Sequence, residues 1–206
     1  GQDPAVVYFL SRARTAGDED AAARVVGSSL ILVTVAGLIA TSAIWFGAGF
    51  VADHFLNEPE TVLALRPMAF MLLPLGILSV LLAATRASKV MKYNVLARSF
   101  VEPFALLVGV AAAASFGGGL AELALAPAIA AGITAVVSLV FYRKLFSIRS
   151  LLPAFARPSY LRDLAKYAVP SAGRDILAYG VGRADFFMVG HFLGMAAAGI
   201  YNMVIE

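Results

Sequence analysis

Long apolar runs without a single charged residue alternate with short polar links along this chain. Four runs stand out, at residues 25–52, 67–85, 103–121 and 123–142. A helix needs roughly 20 mainly apolar residues to cross a bilayer, because each residue advances it by only about 1.5 Å. Each run is long enough or nearly so, and the pattern predicts an all-α, polytopic membrane protein. The competing interpretation is a soluble helix bundle, which would have to bury four helices that have almost no polar face.

The links and prolines between these runs set the expected helix boundaries. We expect helices over residues 4–14, 21–55, 61–90, 93–116, 120–145 and 159–192, followed by a partial helix from about residue 195. Ser159 is expected to cap the last full helix, Pro170 to kink it and Gly194 to end it. The longest link, residues 146–160, has apolar residues spaced to form a short amphipathic helix on the membrane surface.

Composition agrees with the membrane interpretation and narrows the chemistry. Hydrophobic residues make up 61% of the chain and charged residues 14%, with a mean hydropathy of +0.85, whereas a soluble domain is about 45–50% apolar and about 25% charged. The chain has no cysteine, which excludes disulfides, thiolate metal sites and cysteine nucleophiles. His54 and His191 are far apart in sequence, and no Ser/His/Asp set or paired carboxylates is apparent. We therefore expect no metal, no cofactor and no enzymatic activity.

The distribution of lysine and arginine predicts the orientation, because cytoplasmic links carry an excess of both. One set of links holds twelve basic residues, Arg12, Arg14, Arg24, Arg86, Lys89, Lys92, Arg143, Lys144, Arg149, Arg157, Arg162 and Lys166. The links on the opposite side hold only Arg66, beside Asp53, Glu58 and Glu60. The first set is therefore expected to face the cytoplasm.

Three arginines and three carboxylates lie inside predicted helices, at Arg98, Arg174, Arg183, Glu102, Asp175 and Asp185. Arg98 and Glu102 are four residues apart and can pair on one helix face. Arg174 and Asp185 are eleven residues apart, close to three turns, so a continuous helix would place them on one face. A charge at the centre of a bilayer costs about 2.5–3.5 kcal/mol on insertion scales, so these residues need a reason. They either hold helices in the bundle or line a polar cavity that binds an anionic substrate.

Four stretches of the chain resemble polysaccharide flippases, a family of the multidrug/oligosaccharidyl-lipid/polysaccharide exporter superfamily. The stretch "GRADFFMVGHFLGMAAAGIYNMV" is similar to the start of the second half of those proteins, where an Arg-x-Asp element, a Gly-x-x-x-Gly turn and "aaGiY" follow one another. The matching positions here are Arg183, Asp185, Gly190, Gly194, Gly199 and Tyr201. The other similar stretches are "AVVYFLSRARTAGDEDAAARVVGSSLIL", "MKYNVLARSFVEPF" and "LRDLAKYAVPS".

The resemblance implies a fragment of a two-lobe exporter with twelve or fourteen helices in the inner (cytoplasmic) membrane of a bacterium. Residues 1–145 would form part of the N-terminal lobe, from the end of its second transmembrane helix to its sixth. Residues 146–160 would be the cytoplasmic link between the lobes. Residues 161–206 would hold the seventh helix and the start of the eighth.

The resemblance also implies a function, the transfer of a polyprenyl-diphosphate-linked oligosaccharide or polysaccharide repeat unit to the outer leaflet by alternating access. The arginines would contact the diphosphate or the sugar, because a guanidinium is forked and permanently charged; these are Arg98, Arg174 and Arg183. The carboxylates would hold the arginines or couple transport to protons or sodium; these are Glu102, Asp175 and Asp185. Membrane lipid is a further expected partner, and nucleic acid is not.

Two alternatives remain open at this point. One is a small-molecule or drug antiporter of the same superfamily, although arginines in the cavity disfavour a cationic substrate. The other is a polytopic membrane enzyme of polysaccharide assembly, although the outer links are too short to hold an active site.

Overall fold

The computed structural model describes residues 3–56, 59–147, 151–156 and 159–205. These residues are helical almost throughout, and no strand occurs among them. The helices are α1 (Asp3–Thr15), α2 (Glu19–Val51), α3 (Val62–Ala69), α4 (Leu72–Ala87), α5 (Lys92–Leu96), α6 (Glu102–Ser115), α7 (Leu120–Leu145), α8 (Leu151–Ala156), α9 (Leu161–Gly182), α10 (Ala184–Leu193) and α11 (Met195–Ile205). A π-helical turn, Ala52–Leu56, follows α2, and a 3-10 turn, Pro59–Thr61, precedes α3.

Four helical stretches of the described chain are long and apolar enough to cross a membrane. They are Glu19–His54, Pro59–Ala87, Lys92–Ser115 and Leu120–Leu145, and their most apolar windows have mean hydropathies of 1.7 to 2.2. Three of them contain an uncharged run in full, and Lys92–Ser115 contains residues 103–115 of the run at 103–121. The predicted all-α, polytopic membrane architecture is confirmed.

The helix expected over residues 61–90 is interrupted, because α3 and α4 are separated by a turn at Phe70 and Met71. Pro74 explains the interruption, since it has no N–H to donate to the Phe70 carbonyl. The N–H groups of Phe70 and Met71 instead bond to the carbonyls three residues earlier, at 3.2 and 3.0 Å. The helix therefore narrows to one turn with three-residue hydrogen bonds, and α4 begins after it.

Pro103 produces a different irregularity between α5 and α6. These helices are joined by a π-helical turn, Ala97–Val101, in which the Glu102 N–H bonds to the carbonyl five residues earlier. The wider turn carries the chain past a proline that cannot donate to the carbonyl of Ser99. Arg98 lies within this turn, so the proline influences where its side chain points.

The apolar core lies where α1, α2, α4 and α7 meet, at the ends adjoining the basic links. Its fully buried residues include Val6, Leu10, Val25, Val26, Val80 and Tyr142. Leu151 of α8 belongs to this core and is only 5% exposed. The short helix expected within residues 146–160 is present, but one of its residues is buried against the bundle instead of lying on the membrane surface.

Two glycines allow α2 and α4 to pack closely. A Cβ atom on Gly37 would lie 3.2 Å from the Cα of Leu73, and a Cβ on Gly76 would lie 3.3 Å from the Cβ of Val33. These separations are shorter than ordinary van der Waals contacts. Hydrogen in place of a side chain therefore brings the two helices together, as in other membrane helix pairs with small residues at the interface.

The helix expected over residues 159–192 is present as two helices, α9 and α10, with a break at Arg183. Arg183 has φ −121° and ψ 13°, outside the helical range. Pro170 lies inside α9 and does not end it. Tyr160 occupies the N-cap position of α9 and makes no side-chain bond there, so the prediction that Ser159 caps this helix was wrong.

Candidate functional site

Arg98 and Glu102 form a pair at the junction of the π-helical turn and α6. Arg98 Nη1 lies 3.5 Å from Glu102 Oε2, and the two side chains are 42% and 27% exposed. The distance is at the long end for a hydrogen bond, and exposed ion pairs contribute little to stability in water. The contact is the one that the four-residue spacing predicted. That Arg98 binds substrate stays a prediction.

Arg174 and Asp185 lie on different helices, α9 and α10, so their eleven-residue spacing does not by itself place them on one face. That spacing argument applies only along an unbroken helix. Arg174 Nη2 instead lies 3.3 Å from Oδ1 of its neighbour Asp175. The side chain of Arg174 is 76% exposed, so most of its surface remains available for other contacts.

Arg183 and Asp185 are both bonded to residues of α11. Arg183 Nη1 donates to Oδ1 of Asn202 at 2.7 Å. The hydroxyl of Tyr201 donates to Oδ2 of Asp185 at 2.8 Å. Both distances are typical of well-formed hydrogen bonds, so the four side chains form one polar cluster, which we call the hairpin cluster.

The turn between α10 and α11 makes the hairpin cluster possible. Gly194 has φ +86° and ψ 166°, a conformation that residues with a Cβ rarely adopt. This turn packs α11 against α10, and residues 183–185 meet residues 201–202 at the open end of the hairpin. The predicted end of the helix at Gly194 is therefore confirmed. The spacing alone did not reveal that this turn brings α10 and α11 into contact.

Sequence reasoning missed Asn202 and assigned Tyr201 only to a motif. The available signal was an asparagine in the apolar stretch "GIYNMVI", since an amide side chain in an apolar helix commonly bonds to a polar group on a neighbouring helix. Nothing in local spacing indicates that the partner lies nineteen residues earlier in the chain.

The predicted arginines belong to different parts of the fold. The π-helical turn that holds Arg98 packs against α7, whereas α9, which holds Arg174, packs against α2 and α1. Arg183 lies in the hairpin cluster beyond α9. The described contacts therefore do not unite Arg98, Arg174 and Arg183 in one site.

Comparison with known protein families identifies the family of the chain. The family model described as "Polysaccharide biosynthesis protein" matches residues 1–206. No curated protein and no solved structure matches the chain significantly.

Proposed function

The chain belongs to the polysaccharide biosynthesis protein family, and from this premise we propose that it is part of a membrane transporter for a lipid-linked glycan. In this proposal a polyprenyl-diphosphate-linked oligosaccharide or polysaccharide repeat unit moves from the cytoplasmic to the outer leaflet of the inner membrane. Two lobes that open alternately to the two sides would provide the path. The chain would not act as an enzyme.

The observation that carries the proposal is the orientation of Arg183 in the hairpin cluster. α10 and α11 are otherwise strongly apolar, yet Arg183 and Asp185 each have a hydrogen-bond partner across the hairpin. Asn202 is uncharged, so this bond orients the guanidinium and itself contributes no opposing charge. A fixed, forked cation is suited to bind a diphosphate.

Two features of the fold are compatible with such a substrate. Four apolar helices embed the chain in lipid, where a polyprenyl tail can stay while its polar head crosses. The arginines and carboxylates of α9 and the hairpin supply polar groups along one stretch of chain, at Arg174, Asp175, Arg183 and Asp185. The coupling ion, a proton or sodium, would be taken by one of the carboxylates.

The proposal is tested by complementing a strain that lacks surface polysaccharide, with the lipid-linked intermediate and the protein level both measured. Arg183→Gln should abolish transport while the protein accumulates normally. Arg183→Lys should keep part of the activity, since the charge remains and the fork is lost. Arg66→Gln is the matched control, because Arg66 is a cation outside the hairpin cluster that lies over the ring of Trp45.

A double variant separates transport from a purely structural role. Removing both charges, with Arg183→Gln and Asp185→Asn, also removes the cost of keeping them in an apolar region. Full transport by this variant at normal abundance would refute the role of Arg183 in substrate binding. Loss of the protein itself would show that the hairpin cluster serves to hold the helices together.

A further inference from the structure

One face of α1 is buried and the other lines an open cleft. Ala5, Val6 and Leu10 are fully buried in the bundle. The opposite face lines a cleft of about 870 Å³, which Arg86 of α4 and Met91 after α4 complete. The side chains that α1 contributes include Val7, Tyr8, Ser11, Arg12 and Thr15. This cleft lies outside the hairpin cluster and shares no residue with the predicted substrate contacts.

The polarity of the residues that line the cleft changes along α1. Val7 and Tyr8 form its apolar part, and the Tyr8 side chain is 58% exposed. Ser11 and Arg12 follow one turn later, about 6 Å further along the helix axis. The basic part adjoins the link that carries the predicted cytoplasmic arginines. The apolar part thus lies between the neutral Asp3–Arg86 pair, one turn before Val7, and a basic end at Arg12. An apolar part beside a basic end suits a lipid with an anionic headgroup.

The charges in the cleft leave one cation uncompensated. Arg86 donates to Asp3, and the two side chains are 27% and 36% exposed. That pair is neutral overall. Arg12 is exposed and makes no ion pair with any described residue. Arg12 therefore supplies the net positive charge of the cleft.

None of the acidic residues in the described part of the chain forms an ion pair with Arg12. Arg14 donates to the hydroxyl of Ser88, just after α4. Lys89 and Lys92 follow Ser88 in the chain, so the surface beside the cleft is basic. Of the acidic residues in the next link, Asp18 already has other partners. Asp18 accepts from the backbone N–H of Ala21 at 2.7 Å and lies 3.8 Å from Arg24.

We propose that this cleft binds an anionic glycerophospholipid of the cytoplasmic leaflet. Its phosphate would lie at Arg12, with the hydroxyl of Ser11 beside it, and an acyl chain would follow Val7 and Tyr8. A phosphodiester carries a single negative charge, which matches one uncompensated arginine better than a diphosphate does. The lipid would secure α1 against α4 at the membrane surface, whatever substrate the protein transports.

The test uses the full-length protein in detergent and measures bound lipid by native mass spectrometry. The probes are phosphatidylglycerol and phosphatidylcholine with identical acyl chains. The wild type should prefer phosphatidylglycerol, and Arg12→Gln should weaken its binding about tenfold, the effect of losing one charge-assisted hydrogen bond. Arg12→Lys should retain most of the preference. It also serves as the informative variant should Arg12→Gln fail to fold.

Lys144→Gln is the matched control, because Lys144 is an exposed cation on the same predicted side of the membrane. It should bind phosphatidylglycerol as the wild type does. An unchanged preference in Arg12→Gln would overturn the proposal, and so would an equal loss in Lys144→Gln, which would indicate diffuse attraction. Polyprenyl diphosphate displacing phosphatidylglycerol from Arg12 would also overturn it, and would assign the cleft to the transported lipid.

Discussion

The hydroxyl of Tyr201 donates a hydrogen bond to the carboxylate of Asp185 across the α10–α11 hairpin, at 2.8 Å. Arg183 and Asn202 make the parallel contact at 2.7 Å. The Arg-x-Asp element and Tyr201 belong to the stretch that resembles polysaccharide flippases. The structure brings both into the hairpin cluster. Any role of Arg183 in transport therefore depends on α11 as well as on α10.

A first prediction concerns the bond between Tyr201 and Asp185. Tyr201→Phe and Asp185→Ala should each reduce transport in the complementation assay. The double variant should be no worse than the more severe single variant, because all three remove the same interaction. Tyr179→Phe is the control, since the Tyr179 side chain is 76% exposed on α9. Additive losses would show that the two residues act independently.

A second prediction tests the close packing of α2 and α4. Gly76→Leu should lower the temperature of thermal unfolding in detergent, because its Cβ would already lie 3.3 Å from Val33 and overpacking typically costs about 1–3 kcal/mol. Gly47→Leu adds the same side chain where no atom lies within 4 Å of the new Cβ. It should unfold close to the wild-type temperature. Equal shifts in both variants would mean that glycine flexibility, not the close approach, matters.

A third prediction concerns the turn after α4. Lys89 has φ +59°, a left-handed conformation that costs roughly 1–2 kcal/mol for a residue with a Cβ. Lys89→Gly should therefore raise the unfolding temperature, because the strain it relieves exceeds the roughly 0.4–1 kcal/mol that added backbone freedom in the unfolded chain costs. Lys89→Ala removes the same charge and keeps the Cβ. A rise in both variants would attribute the effect to charge.

A fourth prediction fixes the topology, and the absence of cysteine makes single-cysteine labelling straightforward. Lys92→Cys and Lys144→Cys should react with a membrane-impermeant maleimide only after the cells are opened. Glu60→Cys and Phe116→Cys should react in intact cells. Labelling of positions 60 and 144 from the same side would show that the orientation or the number of crossings is wrong.

The membrane class and the main helix boundaries followed from the sequence, and the physical reason is local. A charge-free run of about twenty residues has few stable conformations in lipid other than a helix that satisfies its own backbone. The bounds predicted for α7 agree with the structure residue for residue, because Gly119 and the basic Arg143 and Lys144 mark its two ends. The family resemblance followed from local patterns too, and the match over residues 1–206 confirms it at the level of the family.

The tertiary structure determined which side chains meet, which sequence spacing could not predict. The phase argument that placed Arg174 beside Asp185 assumed an unbroken helix, and Arg183 breaks it. The partner of Arg183 lies across a hairpin, at a residue that sequence periodicity had no means to connect with it. Leu151 of the link is buried for the same reason: contacts between elements depend on how helices cross. Local sequence specifies that a helix forms, whereas its neighbours determine which of its side chains meet.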